Sequence, residues 1–268
     1  MTSLLVWVGV DRGGVSSLNL AADSRISFAD GDVWDHAIKV FASSQYPIAL
    51  GFVGDVFFPS VSLPGAIARV DAGTYGTDTP DVVDSLVSDI QTSWRTFPKR
   101  HRHGVTILVA YRLAGGMKSV FGLKQIVGAS GAGEMTSETV TIPSKSGFVL
   151  LQGSGEKSVG TARDAWQRSD AQGTSRAAYS AFVDALLSGG DRFSGGAPQL
   201  ISIWRDHRGA HPIPVIYRGR RFIFGTEIEA EKSAHTLKEW RGPLFERVDG
   251  QTGNLLTGAQ PHIRPSNV

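Results

Sequence analysis

The chain opens on an apolar run, Leu4-Leu5-Val6-Trp7-Val8-Gly9-Val10, and a second run extends from Val15 to Ala22. Both are rich in β-branched and apolar residues and predict strands, with Asp11-Arg12-Gly13-Gly14 as the turn between them. Residues 26–36 read as irregular, with a turn at Asp30-Gly31-Asp32. Ile38–Phe41 and Pro47–Gly54 predict another strand pair. Helical spacing follows over Val56–Val70, interrupted by Pro59 and Pro64. It is clearer over Asp81–Phe97, where Thr79 or Asp81 stands at the cap and Val82, Val83, Leu86, Val87, Ile90 and Trp94 share one face.

Val105–Tyr111 and Ser119–Val127 predict strands, the small and polar stretch 128–145 a loop, and Gly147–Leu151 a short strand. Two helices come next, Lys157–Arg168 and Ser175–Leu187, the second stopped by Gly189-Gly190. Strands over Gln199–Trp204, Pro212–Tyr217 and Arg221–Gly225 complete the pattern. Such segregated runs suggest an α+β fold: two antiparallel sheets with helices packed outside them. After about Glu227 the pattern changes to a charged amphipathic stretch, Ile228–Trp240, then a tail rich in Gly, Pro and Asn. The division expected is a domain over 1–226 and a C-terminal extension over 227–268.

Composition narrows the classes. With 268 residues, 41% apolar and 19% charged, the chain is large enough for a sizeable core. The 32 glycines suit many tight turns. A formal net charge of +2 argues for neither nucleic acid nor a membrane surface, and the basic run Lys99–His103 reads as a solvated loop. Without cysteine there are no disulfides and no thiolate zinc sites. The seven histidines show no metal-ligand spacing, so neither a metal nor another cofactor is assigned. No run approaches membrane-spanning length and Met1 leads straight into a strand, so the expected location is the cytoplasm.

Several positions could carry chemistry, each with an ordinary reading beside it. Thr2 follows Met1; once Met1 is removed, one small residue carries both a hydroxyl and a free α-amino group, a nucleophile and a base within reach of each other. Thr at position two is otherwise unremarkable. Asp23, Ser24 and Arg25 end a strand, where side chains can project into a cleft. Lys39 lies in an apolar stretch, either on an exposed strand face or buried with a partner. An ammonium beside an amine disfavours protonating that amine, and an α-amino group starts near a pKa of ~7.7–8.0. Gly51-Phe52-Val53-Gly54 is either a turn or a strand end presenting the Gly54 N–H to an oxyanion. Gly153-Ser154-Gly155 is either a loop with a helix cap or part of a site, and Asp191-Arg192-Phe193-Ser194-Gly195-Gly196 either a turn or part of the same site.

Taken in order, Thr2, Ala21-Ala22-Asp23-Ser24-Arg25, Lys39, Gly51–Gly54, Gly153-Ser154-Gly155 and Asp191–Gly196 resemble the catalytic β-type subunits of the proteasome and its simpler bacterial relatives, which are N-terminal-nucleophile hydrolases. The separation of Asp23 and Lys39 equals the family's, and the resemblance spans roughly residues 2 to 225. It implies a four-layer αββα sandwich. It implies Thr2 as nucleophile, Lys39 lowering the pKa of the Thr2 amine, and Asp23 as the charge partner of Lys39. Ser154, Asp191 and Ser194 would surround the amine, Gly54 would donate to the oxyanion, and Arg25 would be structural. Ile26, Ser27, Ala37, Phe41, Phe52 and Val56 would line the substrate pocket, mostly with apolar groups. The activity implied is that of a threonine endopeptidase acting on peptides or unfolded chains inside stacked homomeric rings, with room for an ATPase partner.

The sequence departs from the family at four points. The run from Thr2 to Asp23 is about five residues longer, so the first hairpin must lengthen or bulge. Asp55 follows Gly54 where a small residue is usual, the structural Asp common a few positions further on is missing, and the extension after Glu227 is long. With only Met1 ahead of Thr2, a methionine aminopeptidase is the expected processing enzyme. A non-catalytic ring subunit and an amidase of small amides on the same fold are the rival readings.

Overall fold

The opening apolar runs become β1 (Ser3–Asp11) and β2 (Gly14–Ala22), an antiparallel hairpin paired from Leu4↔Ala22 to Asp11↔Gly14. The computed structural model describes residues 2–229, 237 and 239–266. A small ribbon follows, β3 (Ile26–Ser27) with β4 (Val33–Trp34), where irregular chain is expected. Next come β5 (Val40–Ala42), β6 (Ile48–Gly54), α1 (Phe57–Asp71), α2 (Thr79–Thr96), β7 (Val105–Leu113), β8 (Val120–Gly128), β9 (Met135–Val140) and β10 (Gly147–Gly153). After α3 (Glu156–Gln167) and α4 (Ser175–Ser188) lie β11 (Gln199–Trp204), β12 (His211–Ile213), β13 (Val215–Tyr217), β14 (Arg220–Ile223), β15 (Thr226–Glu227), β16 (Trp240–Arg241) and β17 (Arg247–Val248).

Two five-stranded sheets, ordered β10-β1-β2-β11-β12 and β5-β6-β7-β8-β9, face each other. Leu4, Val6 and Val8 of β1 pack across the gap with Ala49, Leu108 and Ala110 of the second sheet. Leu5 and Trp7 point the other way, into a cluster with Phe182 and Val183 of α4. Successive strand residues face opposite sides, so β1 is buried on both faces and needs an apolar residue at nearly every position. On the outside of the second sheet, Ile48, Leu50 and Ile107 pack against Leu63 of α1 and Leu86 and Ile90 of α2. The fold is α+β, a four-layer αββα sandwich.

The first hairpin has two strands of nine residues and a register shift between Gly9 and Val10, the bulge expected there. Helix α1 runs through both prolines; Pro59 lies in the first turn, where N–H groups have no partner within the helix. Strand β9 falls in the stretch read as loop. It is an edge strand whose central residues, Thr136 to Thr139, are exposed, so its place comes from backbone pairing with β8 and not from apolar side chains. The strand expected over Pro212–Tyr217 is two strands, β12 in the first sheet and β13 in a third, parting at Pro214, which has no N–H to donate.

That third sheet, β15-β14-β13-β16-β17, joins residues beyond 227 to the preceding chain. Most of the amphipathic stretch expected at 228–240 lies outside the described residues. Beyond it, Trp240 is fully buried, and Phe245 packs its ring against Trp7 and Tyr179. The final described residues are tied down by an Arg264–Asp184 ion pair at 2.5 Å and by the Leu244 carbonyl meeting His262 Nδ1 at 2.7 Å. The tail thus covers the outer face of β1. Trp240→Ala should therefore cost about 3–5 kcal/mol of global stability, measured by urea unfolding; a loss below about 1 kcal/mol would mean that the tail is not part of the cooperative unit.

Candidate active site

The chain start is moulded by two glycines. Strand β10 pairs with β1 at Ser3↔Gly153, and the Ser154 N–H donates to the Thr2 carbonyl at 3.0 Å. At Gly153, whose φ is +108°, a Cβ would lie 1.7 Å from the Thr2 oxygen; at Gly155 it would lie 1.8 Å from Ser3 Oγ. Side chains at either position would occupy the space that Thr2 and Ser3 fill. Thr2 is buried, and its Oγ1 has no hydrogen-bond partner among the described residues.

Beneath it sits a buried ion pair. Asp23, just past β2, and Lys39, just before β5, are both fully buried, with Nζ 2.9 Å from Asp23 Oδ1. The Ser3 N–H donates to the same oxygen at 2.8 Å, so the ammonium and the residue after Thr2 meet on one carboxylate atom. The other oxygen accepts from the N–H groups of Arg25 and Gly195 at 3.1 and 3.0 Å. Lys39 Nζ also donates to the Arg25 carbonyl at 2.5 Å. Burial pushes the Lys39 ammonium below its ordinary pKa, against the opposing pull of Asp23.

Gln199, at the start of β11, holds this region together. Its side-chain oxygen accepts from Lys39 N at 3.0 Å, and its amide nitrogen donates to the carbonyls of Asp23 and Ala37 at 3.1 and 2.7 Å. Nothing in the sequence sets it apart from a glutamine on an exposed strand end. Asp35, equally unmarked, makes a two-pronged ion pair with Arg25 at 2.7 and 2.8 Å. Hydrogen bonding to Arg25 holds the Asp35 carboxyl below the usual range despite partial burial. Arg25 Nη1 reaches the Arg192 carbonyl at 3.2 Å, bridging to the 191–196 loop.

A hydroxyl cluster occupies the other side. Ser194 Oγ donates to Asp191 Oδ2 at 2.7 Å and lies 2.7 Å from Ser3 Oγ and 3.3 Å from Ser154 Oγ. Burial alone would raise the Asp191 pKa; hydrogen bonds from Ser154, Ser194 and the Phe193 N–H outweigh it and hold the carboxyl below the usual range. The structure therefore brings together Thr2, Asp23, Lys39, Ser154, Asp191 and Ser194, with Arg25 at the edge, and adds Ser3, Gln199 and Asp35.

Gly54 ends β6, two residues after the Phe52 N–H that donates to the Lys39 carbonyl at 3.2 Å. Its φ is +101°, and a Cβ there would lie 2.4 Å from the Gly104 carbonyl oxygen, so the position admits only glycine. The next residue, Asp55, caps α1: its Oδ2 accepts from the N–H groups of Phe57 and Phe58 at 3.1 and 3.3 Å. Of the six residues expected to line a pocket, Ile26 and Ser27 are half-buried on β3, and Ala37 is buried between β4 and β5. Phe41, Phe52 and Val56 pack into the core shared with α1 and α2; Phe52, 1% exposed, is core and not an open pocket wall. Ser27 instead lines a cleft of about 760 Å³ together with Arg25, Phe28, Val33, Arg192 and Phe193. A second cleft, of about 890 Å³ between α3 and α4, reaches Ser154 and Asp191. Among the described residues no three or more His, Asp or Glu side chains gather as a metal site, and no helix is long and apolar enough to cross a membrane.

No family model matches the sequence, and no curated protein matches it. Among solved structures, the chain is similar to the crystal structure of eukaryotic HslV from Trypanosoma brucei, with 16% identity and a TM-score of 0.47 over 76% of this chain and 99% of that one.

Two outcomes follow from the geometry. Gln199→Ala leaves three buried backbone groups without partners and should cost about 3 kcal/mol or more in urea unfolding; a neutral result would show that water replaces the side chain. Asp191, lowered in the folded state, contributes stability that is complete above the unfolded value of 3.8 and lost as pH falls through the lower folded value. The melting-temperature gap between wild type and Asp191→Asn should therefore narrow progressively as pH falls below about 4, and a gap that does not narrow with acidification would contradict the assignment.

Proposed function

We propose that this chain is a proteasome-type threonine peptidase whose nucleophile is Thr2 once residue 1 is removed. The observation that carries the reading is the buried Lys39–Asp23 pair, hydrogen-bonded through Asp23 to the residue next to a buried threonine hydroxyl that has no partner among the described residues. A core does not ordinarily hold a charged pair unless it is tightly hydrogen-bonded, because desolvation opposes it. Here the pair puts a positive charge next to the chain start. A free α-amino group there would be disfavoured from taking a proton and would stay available as a base near neutral pH.

The Thr2 hydroxyl then attacks the scissile carbonyl while the α-amine takes its proton, directly or through water. The negative charge developing on the carbonyl oxygen is met by the Gly54 N–H. Collapse of the tetrahedral intermediate expels the amine product, which receives the proton, and leaves an acyl ester on Thr2. Water activated by the same α-amine hydrolyses that ester and frees the hydroxyl. Asp191, Ser194 and Ser154 hold the polar surroundings of the amine. Of the expected lining, Ile26 and Ser27 on β3 remain partly exposed, and peptides or unfolded chains are the substrates. Assembly into stacked homomeric rings, with an ATPase as a further partner, rests on the family resemblance alone.

On a fluorogenic peptide, Thr2→Ala should abolish hydrolysis, and Lys39→Ala should lower it by about a hundredfold or more, while both variants sediment as wild type does. Hydrolysis retained in Thr2→Ala would remove the peptidase reading; hydrolysis retained in Lys39→Ala would remove the lysine from it. Sedimentation velocity tests the ring: a particle of many copies is expected, and a monomer would contradict it.

A further inference from the structure

The Ser3 hydroxyl has no part in the chemistry proposed above, yet it is held as firmly as any group near the chain start. Ser3 is 1% exposed, and its Oγ lies 2.7 Å from Ser194 Oγ. An ionised Asp191 offers only lone pairs, so the single Ser194 hydroxyl proton goes to Asp191 Oδ2 at 2.7 Å. Ser194 Oγ can then only accept, and the proton between the two serines must come from Ser3. The relay has one polarity: Ser3 O–H to Ser194, Ser194 O–H to Asp191. The room for it is made by Gly155, where any Cβ would collide with Ser3 Oγ.

The backbone of the same residue is gripped from the other side. The Ser3 N–H donates to Asp23 Oδ1 at 2.8 Å, and the Asp23 N–H donates back to the Ser3 carbonyl at 3.2 Å. Residue 3 is thus tied through its N–H directly to one carboxylate and through its hydroxyl, by way of Ser194, to a second, on two separate loops. The peptide group between residues 2 and 3 is left with little rotational freedom.

We propose that Ser3 is a positioning residue for the reaction at Thr2: by donating to Ser194, its hydroxyl sets the orientation of the Thr2–Ser3 peptide unit and so the aim of the Thr2 hydroxyl and amine. The inference rests on the reading of Thr2 as nucleophile. A serine that merely filled space would be replaceable by alanine without effect on turnover. A serine that aims the nucleophile acts on turnover more than on substrate binding, because misplacement by a fraction of an ångström acts on the reacting geometry.

The test is steady-state hydrolysis of a fluorogenic peptide by the full chain, comparing wild type, Ser3→Ala, Ser3→Thr and Thr2→Ala, with thermal melting of each. Ser3→Ala should lower kcat about tenfold to a hundredfold with KM within about twofold. Ser3→Thr, which keeps the hydroxyl, should recover most of the loss. Should Ser3→Ala fail to fold, Ser3→Cys, close in volume but a weak donor, should show the same fall in kcat with a normal melt. Wild-type kcat in Ser3→Ala, a change confined to KM, or a loss in folded protein that Ser3→Thr does not recover would each overturn the inference. If Thr2→Ala is inactive and Ser3→Ala is normal, only the role of Ser3 falls. If wild type is inactive, or Thr2→Ala remains active, the peptidase reading falls and Ser3 with it.

Discussion

Asp23 is a fully buried carboxylate with every donor it needs, and the segments around it are arranged to supply them. A charge in that position is destabilising unless it is paired and hydrogen-bonded. Its four partners come from four places: the Ser3 N–H at the start of β1, the Lys39 ammonium before β5, the Arg25 N–H past β2, and the Gly195 N–H in the loop before β11. Loss of any one would leave charge or lone pairs buried and unmet. The carboxylate therefore sets the positions of the chain start, both sheets and the 191–196 loop relative to one another.

The rest of the fold makes that arrangement rigid. Strand β1 lies within a sheet, between β10 and β2, and is buried on both faces, so its first residues are held from both sides. The outer face of β1 is covered by α4 and by Phe245 from the tail, which places residues beyond 227 in the same core as the site's central strand. Gly153 and Gly155 let β10 and the start of α3 approach the chain start more closely than any side chain would allow. Packing on one side and hydrogen bonding on the other thus converge on residues 2 and 3.

What could be read from the sequence follows from which forces leave a local trace. Strands β1 and β2 are legible because burial on both faces demands unbroken apolar runs. Helix α2 is legible because one face is apolar at helical spacing and that face is buried. Strand β9 leaves no such trace, since an edge strand is held by backbone pairing, and β12 and β13 look like one strand because a sheet change at Pro214 is set by tertiary contacts. At the site, Thr2, Asp23, Lys39, Ser154, Asp191 and Ser194 are marked in the sequence only as a pattern taken together; individually each has an ordinary reading, and their proximity appears only in the fold. Ser3, Gln199 and Asp35 carry no motif, and their roles exist only once distant segments meet. Phe52 lies on β6, but its side chain serves the α1–α2 core, which spacing along a strand does not reveal.

The proposed chemistry turns on a single residue that is both attacker and base, with a free amine. Intact-mass analysis of protein purified from its native host, before and after an epoxyketone probe that needs both a hydroxyl and an adjacent α-amine, examines that requirement alone. The expected result is a chain lacking residue 1 that gains one probe mass, mapped by peptide fragmentation to Thr2. A chain that retains Met1, or that gains no mass at Thr2, would contradict the proposal.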